Sequence, residues 1–160
     1  MNYNRIYIFG GTGSGKTTLA KKISKKLNIP TYTTDDFVYK KRWTEKYSEE
    51  EKEENLIKTS KKSKWIIEGV HMGDWTIPAL KKADIVIFLN IRRLTMLKRF
   101  ILRKIKRKNK EKSKIKFLIK VIFWLMFYQS RYYKKHKKIN NKFITLRNKK
   151  EIKKFLQELK

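Results

Sequence analysis

Gly10-Gly11-Thr12-Gly13-Ser14-Gly15-Lys16-Thr17 matches the pattern G-x-x-x-x-G-K-[ST] at every position. Four of the six glycines in the 160-residue chain lie in these eight residues. Backbone N–H groups can turn inward around a phosphate only where no Cβ blocks the turn, so the glycines are a geometric requirement. The context fits. Arg5-Ile6-Tyr7-Ile8-Phe9 before the loop is a β-branched and aromatic run suited to a buried strand. After it, Leu19, Ile23 and Leu27 recur at four-residue spacing on one helical face, with lysines between them. A strand, a glycine loop and a helix whose N-terminal dipole faces the loop make an anion site. Lys16 is placed to reach the β- and γ-phosphates of a nucleotide, and the Thr17 hydroxyl to bind Mg²⁺.

The rest of the chain alternates in the same way. Asn28 and Pro30 end the first helix, and Thr31–Thr34 reads as a short second strand closed by Asp35-Asp36. Ser48-Glu49-Glu50-Glu51 has the capping-box spacing, so a helix is expected from about Ser48 to Lys62. Trp65–Glu68, stopped by Gly69, is a third strand, and the nearly all-apolar run Ile85–Ile91 a fourth. The segment Arg92–Lys138 is helical in pattern, with a break at Asn109-Lys110. Lys142–Leu146 reads as a fifth strand and Lys149–Leu159 as a closing helix. Apolar strands separated by helices imply an α/β domain with a parallel sheet covered on both faces.

Composition narrows the class. Cysteine is absent, which excludes disulfide scaffolds, Cys-type zinc sites and cysteine nucleophiles. The 43 Lys+Arg against 14 Asp+Glu give a net charge of +29. Residues 1–90 contribute +6 and residues 91–160 contribute +23, an asymmetry that uniform compositional drift would not produce. A nucleic acid, a nucleotide and a membrane surface are the polyanions such charge suits. The lysine pairs on the first helix read as solvated charge. The longest apolar run outside the strands, Ile115–Tyr128, is 14 residues long and contains Lys116 and Lys120, too short and too charged for a membrane span. It reads as a helix packed on the fold, with a dimer interface or a membrane-surface helix as the alternatives. No signal-peptide core precedes the loop, so a cytoplasmic protein is expected, monomeric or weakly dimeric.

The loop at Gly10–Thr17, then Asp35-Asp36, Trp65-Ile66-Ile67-Glu68-Gly69, and Ile87-Phe88-Leu89 before an Arg-rich helix resemble, in that order, the adenylate-kinase-like P-loop kinases. Among them the chain is most similar to the bacterial DNA topology modulation proteins. The resemblance implies one P-loop domain over residues 1–160. Its fold would be a three-layer α/β/α sandwich with five parallel strands in the order 2-3-1-4-5 and a helical LID at about 92–138. It implies ATP and Mg²⁺ as cofactors, and transfer of the γ-phosphate to a small hydroxyl or phosphate acceptor. Gly10, Gly11, Thr12, Gly13, Ser14, Gly15, Lys16, Thr17 and Thr18 would hold the nucleotide, with Arg99 and Arg147 as further contacts. Thr17, Asp35 and Glu68 would serve the metal, and Lys16, Asp35, Glu68, Arg99 and Arg103 the transfer. Asp35-Asp36 also suits a helix N-terminus. Arg93, Arg99 and Arg103 lie in the first LID helix among lysines that make a solvated face an equal alternative. His71 and Trp75, which follow Glu68-Gly69, suit contact with an acceptor, and Arg42-Trp43 suits its pocket only weakly. Asn90 stands where an acidic residue would be expected. The alternative function is a nucleotide-gated protein that binds DNA through its basic C-terminal half.

Overall fold

The computed structural model describes residues 2–41, 44–71, 73–106, 133, 137–140 and 142–159. Strands β1 (Arg5–Gly10), β2 (Thr31–Thr33), β5 (Trp65–Gly69), β6 (Ile85–Leu89) and β7 (Phe143–Leu146) form one parallel sheet in the spatial order β2-β5-β1-β6-β7. This is the expected 2-3-1-4-5 arrangement, because β3 (Tyr39–Lys41) and β4 (Glu45–Lys46) form a separate antiparallel hairpin. β1 is central. Ile8 pairs in register with Glu68 on one side and Ile87 on the other, so the glycine loop leaves the sheet between two buried neighbours.

Strand alternation sends side chains to two cores. Ile6, Ile8, Ile66, Ile85 and Ile87 meet Leu19, Ala20 and Ile23 of α1 (Lys16–Leu27) and Phe155 of the C-terminal helix α6 (Lys149–Glu158). Tyr7, Phe9, Trp65, Ile67 and Phe88 meet Leu56 of α3 (Glu49–Ser60) and Ala79 and Leu80 of α4 (Ile77–Lys82) on the other face. The result is a three-layer α/β/α sandwich. Ser48 caps α3 with the reciprocal Glu51 bond anticipated from the sequence. Asn28 ends α1 in the left-handed conformation (φ +52°).

Three elements differ from expectation. Thr34 does not extend β2 but starts α2 (Thr34–Val38), because Thr33 and Asp36 form a second capping box. The β3–β4 hairpin is too short to show a periodicity. Asp74–Thr76 forms a 3₁₀ turn that leads into α4, where Pro78 sits in the first turn. Of the segment expected to form a LID, the helix α5 (Arg93–Lys106) is described. The second helix expected over Ile115–Tyr128, and the pair Arg42-Trp43, lie outside the described residues. Among the described residues, no helix is long and apolar enough to cross a membrane.

Candidate phosphate-binding site

The loop closes at the carboxyl edge of the sheet. Gly10, Gly13 and Gly15 have φ of +152°, +82° and +99°. At Gly10 a Cβ would lie 2.8 Å from the Leu89 carbonyl oxygen, and at Gly13 one would lie 2.6 Å from that of Met96. Glycine is therefore required both for the turn and for the close approach of β6 and α5. The Ser14 amide donates to the Gly11 carbonyl (3.1 Å), and the Ser14 hydroxyl is buried with no hydrogen-bond partner among the described residues. Lys16 is buried against the loop, and its Nζ donates to the Gly11 carbonyl (3.1 Å). Burial pushes its ammonium down to about 8, against the pull of Glu68 and Asp35, and Arg103 adds repulsion. The loop therefore holds a desolvated cation that an anionic ligand would stabilise.

Hard oxygen donors stand beside it. The Thr17 hydroxyl donates to Glu68 Oε1 (2.7 Å). Glu68, the penultimate residue of β5, is in register with Thr33 of β2, so the sheet itself brings three separate segments to one edge. Burial raises the Glu68 carboxyl; the Thr17 bond and Lys16 oppose this, while Asp35 and Asp36 add to it. A hydroxyl and a carboxylate in contact beside a phosphate loop suit a divalent cation with oxygen ligands. The structure separates the two aspartates. Asp36 accepts the Thr33 amide (3.1 Å) and caps α2, whereas Asp35 Oδ1 lies 3.1 Å from His71 Nε2. Asp35 is thus the member of the pair that faces the site, within electrostatic reach of both Lys16 and Glu68. Tyr7 of β1, buried in the second core, donates from its hydroxyl to the His71 carbonyl (3.5 Å) and ties down this loop.

The arginines divide as well. Arg99 Nη1 donates to the carbonyls of Gly13 (3.3 Å) and Ser14 (3.4 Å), gripping the loop from its outer side. Arg103 is the arginine whose charge reaches Lys16, and its guanidinium lies 5.8 Å from the Phe100 ring centroid. Arg93 is exposed. Arg147 is exposed just after β7, where its amide donates to Glu151 Oε2 (2.7 Å). Thr12 is half-buried in the loop, and Thr18 faces solvent on α1. Trp75 does not stand free over the site. Its ring covers the ammonium of buried Lys52 (4.9 Å), which also pairs with Glu49, and it lies 6.4 Å from the His71 ring. Two contacts had no sequence signal: the Arg99 grip, and the packing of Thr34 against Gly69, where a Cβ would lie 1.7 Å from the Thr34 hydroxyl.

The family model described as "AAA domain" matches residues 9–116, from the end of β1 to ten residues past α5. The chain belongs to this AAA-domain family. No curated protein matches the chain. Solved structures similar in fold include shikimate kinase from Bacteroides thetaiotaomicron, with 18% identity, a TM-score of 0.63 and coverage of 97% of this chain and 95% of that one. Shikimate kinase from Acinetobacter baumannii, solved with shikimate, has 14% identity, a TM-score of 0.60 and coverage of 97% and 89%. The Aquifex aeolicus enzyme has 20% identity, a TM-score of 0.58 and coverage of 99% and 93%. At these identities the likeness is one of fold: this AAA-domain protein has a P-loop kinase-like architecture over nearly its whole length.

Proposed function

We propose that the protein is an ATP- and Mg²⁺-dependent phosphotransferase that moves the γ-phosphate to a small hydroxyl or phosphate acceptor. The observation that carries this is the meeting, at one sheet edge, of buried Lys16, the Thr17–Glu68 pair and Asp35. Lys16 neutralises phosphate charge as it develops. Thr17 and Glu68 would hold the metal, with Asp35 as a further ligand. Mg²⁺ held there would supply positive charge to offset that of the phosphates. Asp35, oriented by His71, receives the acceptor and accepts its hydroxyl proton, as a carboxylate opposite a phosphate loop can. Arg103, whose charge reaches Lys16, would meet the phosphates, Arg99 shapes the loop itself, and Arg147 would be a further nucleotide contact, as the resemblance implies. The narrower likeness to DNA topology modulation proteins rests on motif order alone and names no acceptor.

Calorimetry with ATP, with and without Mg²⁺, tests the nucleotide half. Wild type should bind and Lys16→Ala should not; equal weak binding by both would end the proposal. A screen of hydroxyl-bearing metabolites and nucleotides for stimulated ADP release tests the acceptor half, and Asp35→Asn should abolish any stimulation found.

A further inference from the structure

The helices α1 and α6 carry a feature that the phosphate site does not use. Lys21, Lys22, Lys25 and Lys26 on α1 have the spacing i, i+1, i+4, i+5, and all four are exposed. Lys149, Lys150, Lys153 and Lys154 repeat that spacing on α6 and are also exposed. Both helices pack side by side on the same core. Each quartet covers an arc of about 140° of its helix at 3.6 residues per turn. Lys26 Nζ donates to the Leu156 carbonyl (2.8 Å), so the lysine arc of α1 leans over α6. Eight ammonium groups thus share one face, against two acidic residues on these helices. Glu151 is engaged in the Asn148 cap, and Glu158 lies 4.0 Å from Lys154.

Drift does not account for this. Ten of the chain's 14 acidic residues fall between Asp35 and Asp74, and the opposite helical layer carries five of them on α3 alone. Among the described residues, charge is sorted by layer. The sorting also has a cost, because each quartet contains two like-charge i,i+4 pairs, which destabilise a helix. A polyanion laid across the face would relieve that repulsion.

We propose that the outer face of α1 and α6 docks on the phosphate backbone of a double-stranded nucleic acid, without sequence preference. Lysine is a flexible point charge that contacts phosphates and reads no base edge. Single-stranded nucleic acids are held by stacking on exposed aromatic rings, and the one aromatic side chain of these helices, Phe155, is buried. A membrane-surface helix needs apolar side chains to dip into lipid. Among the described residues, the large exposed apolar side chains (Leu94, Ile101 and Leu102) lie on α5 instead.

The test is fluorescence anisotropy with two 20-base-pair duplexes of unrelated sequence across a KCl series. The comparison is wild type against Lys21→Gln/Lys25→Gln/Lys149→Gln/Lys153→Gln. Wild type should bind both duplexes equally. The variant should bind about tenfold or more weakly and lose about 3–4 from its log–log salt slope, near 0.9 per phosphate contact. The corresponding Lys→Arg variant should retain wild-type binding, and all three proteins should bind Mg·ATP alike. Equal slopes and affinities for wild type and the Gln variant would overturn the proposal. So would lysine-dependent binding to phosphatidylserine vesicles with no duplex binding.

Discussion

Lys16 offers a prediction in which function and stability have opposite signs. Its ammonium is buried and its pKa falls from 10.5 to about 8. That difference corresponds to about 3 kcal/mol of penalty on the protonated folded state at neutral pH. Replacing Lys16 with Met removes the charge and keeps most of the volume. It also removes the bond to the Gly11 carbonyl, which costs about 1 kcal/mol. In the absence of nucleotide at pH 7, Lys16→Met should therefore be more stable than wild type by about 2 kcal/mol. For a domain of this size that is a rise in melting temperature of about 4–8 °C. The sign can be checked with pH. Between about pH 8 and 10.5 the unfolded wild type holds the Lys16 proton and the folded state has lost it, so wild-type stability rises with pH there. The gap between the two proteins should narrow across that window and be full below it. Saturating Mg·ATP should reverse the order, because wild type gains binding free energy that the variant cannot. The assay is thermal melting of both proteins from pH 6 to 10, with and without nucleotide. A Lys16→Met protein less stable than wild type at pH 7 without nucleotide, or a gap insensitive to pH, would refute the reasoning.

Gly13→Ala should destabilise the fold by more than ~1–2 kcal/mol in urea unfolding and weaken ATP binding, since its Cβ meets the Met96 carbonyl in a left-handed backbone. Glu68→Gln keeps an oxygen for the Thr17 hydroxyl and loses the charge; calorimetry should show Mg²⁺-free ATP binding retained and the gain from Mg²⁺ largely lost. At the other end of the sheet, burial works to raise the Asp84 carboxyl, but the amides of Asn4 and Arg5 and the Arg5 guanidinium together hold it below its ordinary value. Asp84→Asn should cost about 1–3 kcal/mol at neutral pH, a deficit that shrinks as pH falls through the carboxylate range because wild type loses that stabilisation on protonation. Buried Asn140 donates to the carbonyls of Leu80 and Ala83 and accepts the Lys142 amide. Asn140→Ala should lower the melting temperature while leaving the affinity for ATP unchanged.

What could be read from the sequence follows the range of each interaction. The phosphate loop was legible because its eight residues are contiguous and their backbone demands are local. The five parallel strands were legible because burial on both faces makes each a continuous apolar run, as in Ile85–Leu89. The order of those strands is not a local property, and it came only through resemblance. The role of Asp35 was not legible beside Asp36, since either suits a helix N-terminus; the capping bond of Asp36 and the histidine 36 residues away from Asp35 separate them. The Arg99 grip joins residues 85 and 86 apart through backbone carbonyls, which carry no residue-type signal. The lysine quartets show the converse. The lysine pairs of α1 form a local pattern that by itself reads as solvated charge. Only the packing of α1 beside α6 makes the two quartets one face, and only the acidic residues of α3 on the opposite layer show that the charge is sorted. Net charge alone therefore could not identify a docking face here: the same +29 spread evenly over both layers would attract a duplex to every face and orient it on none.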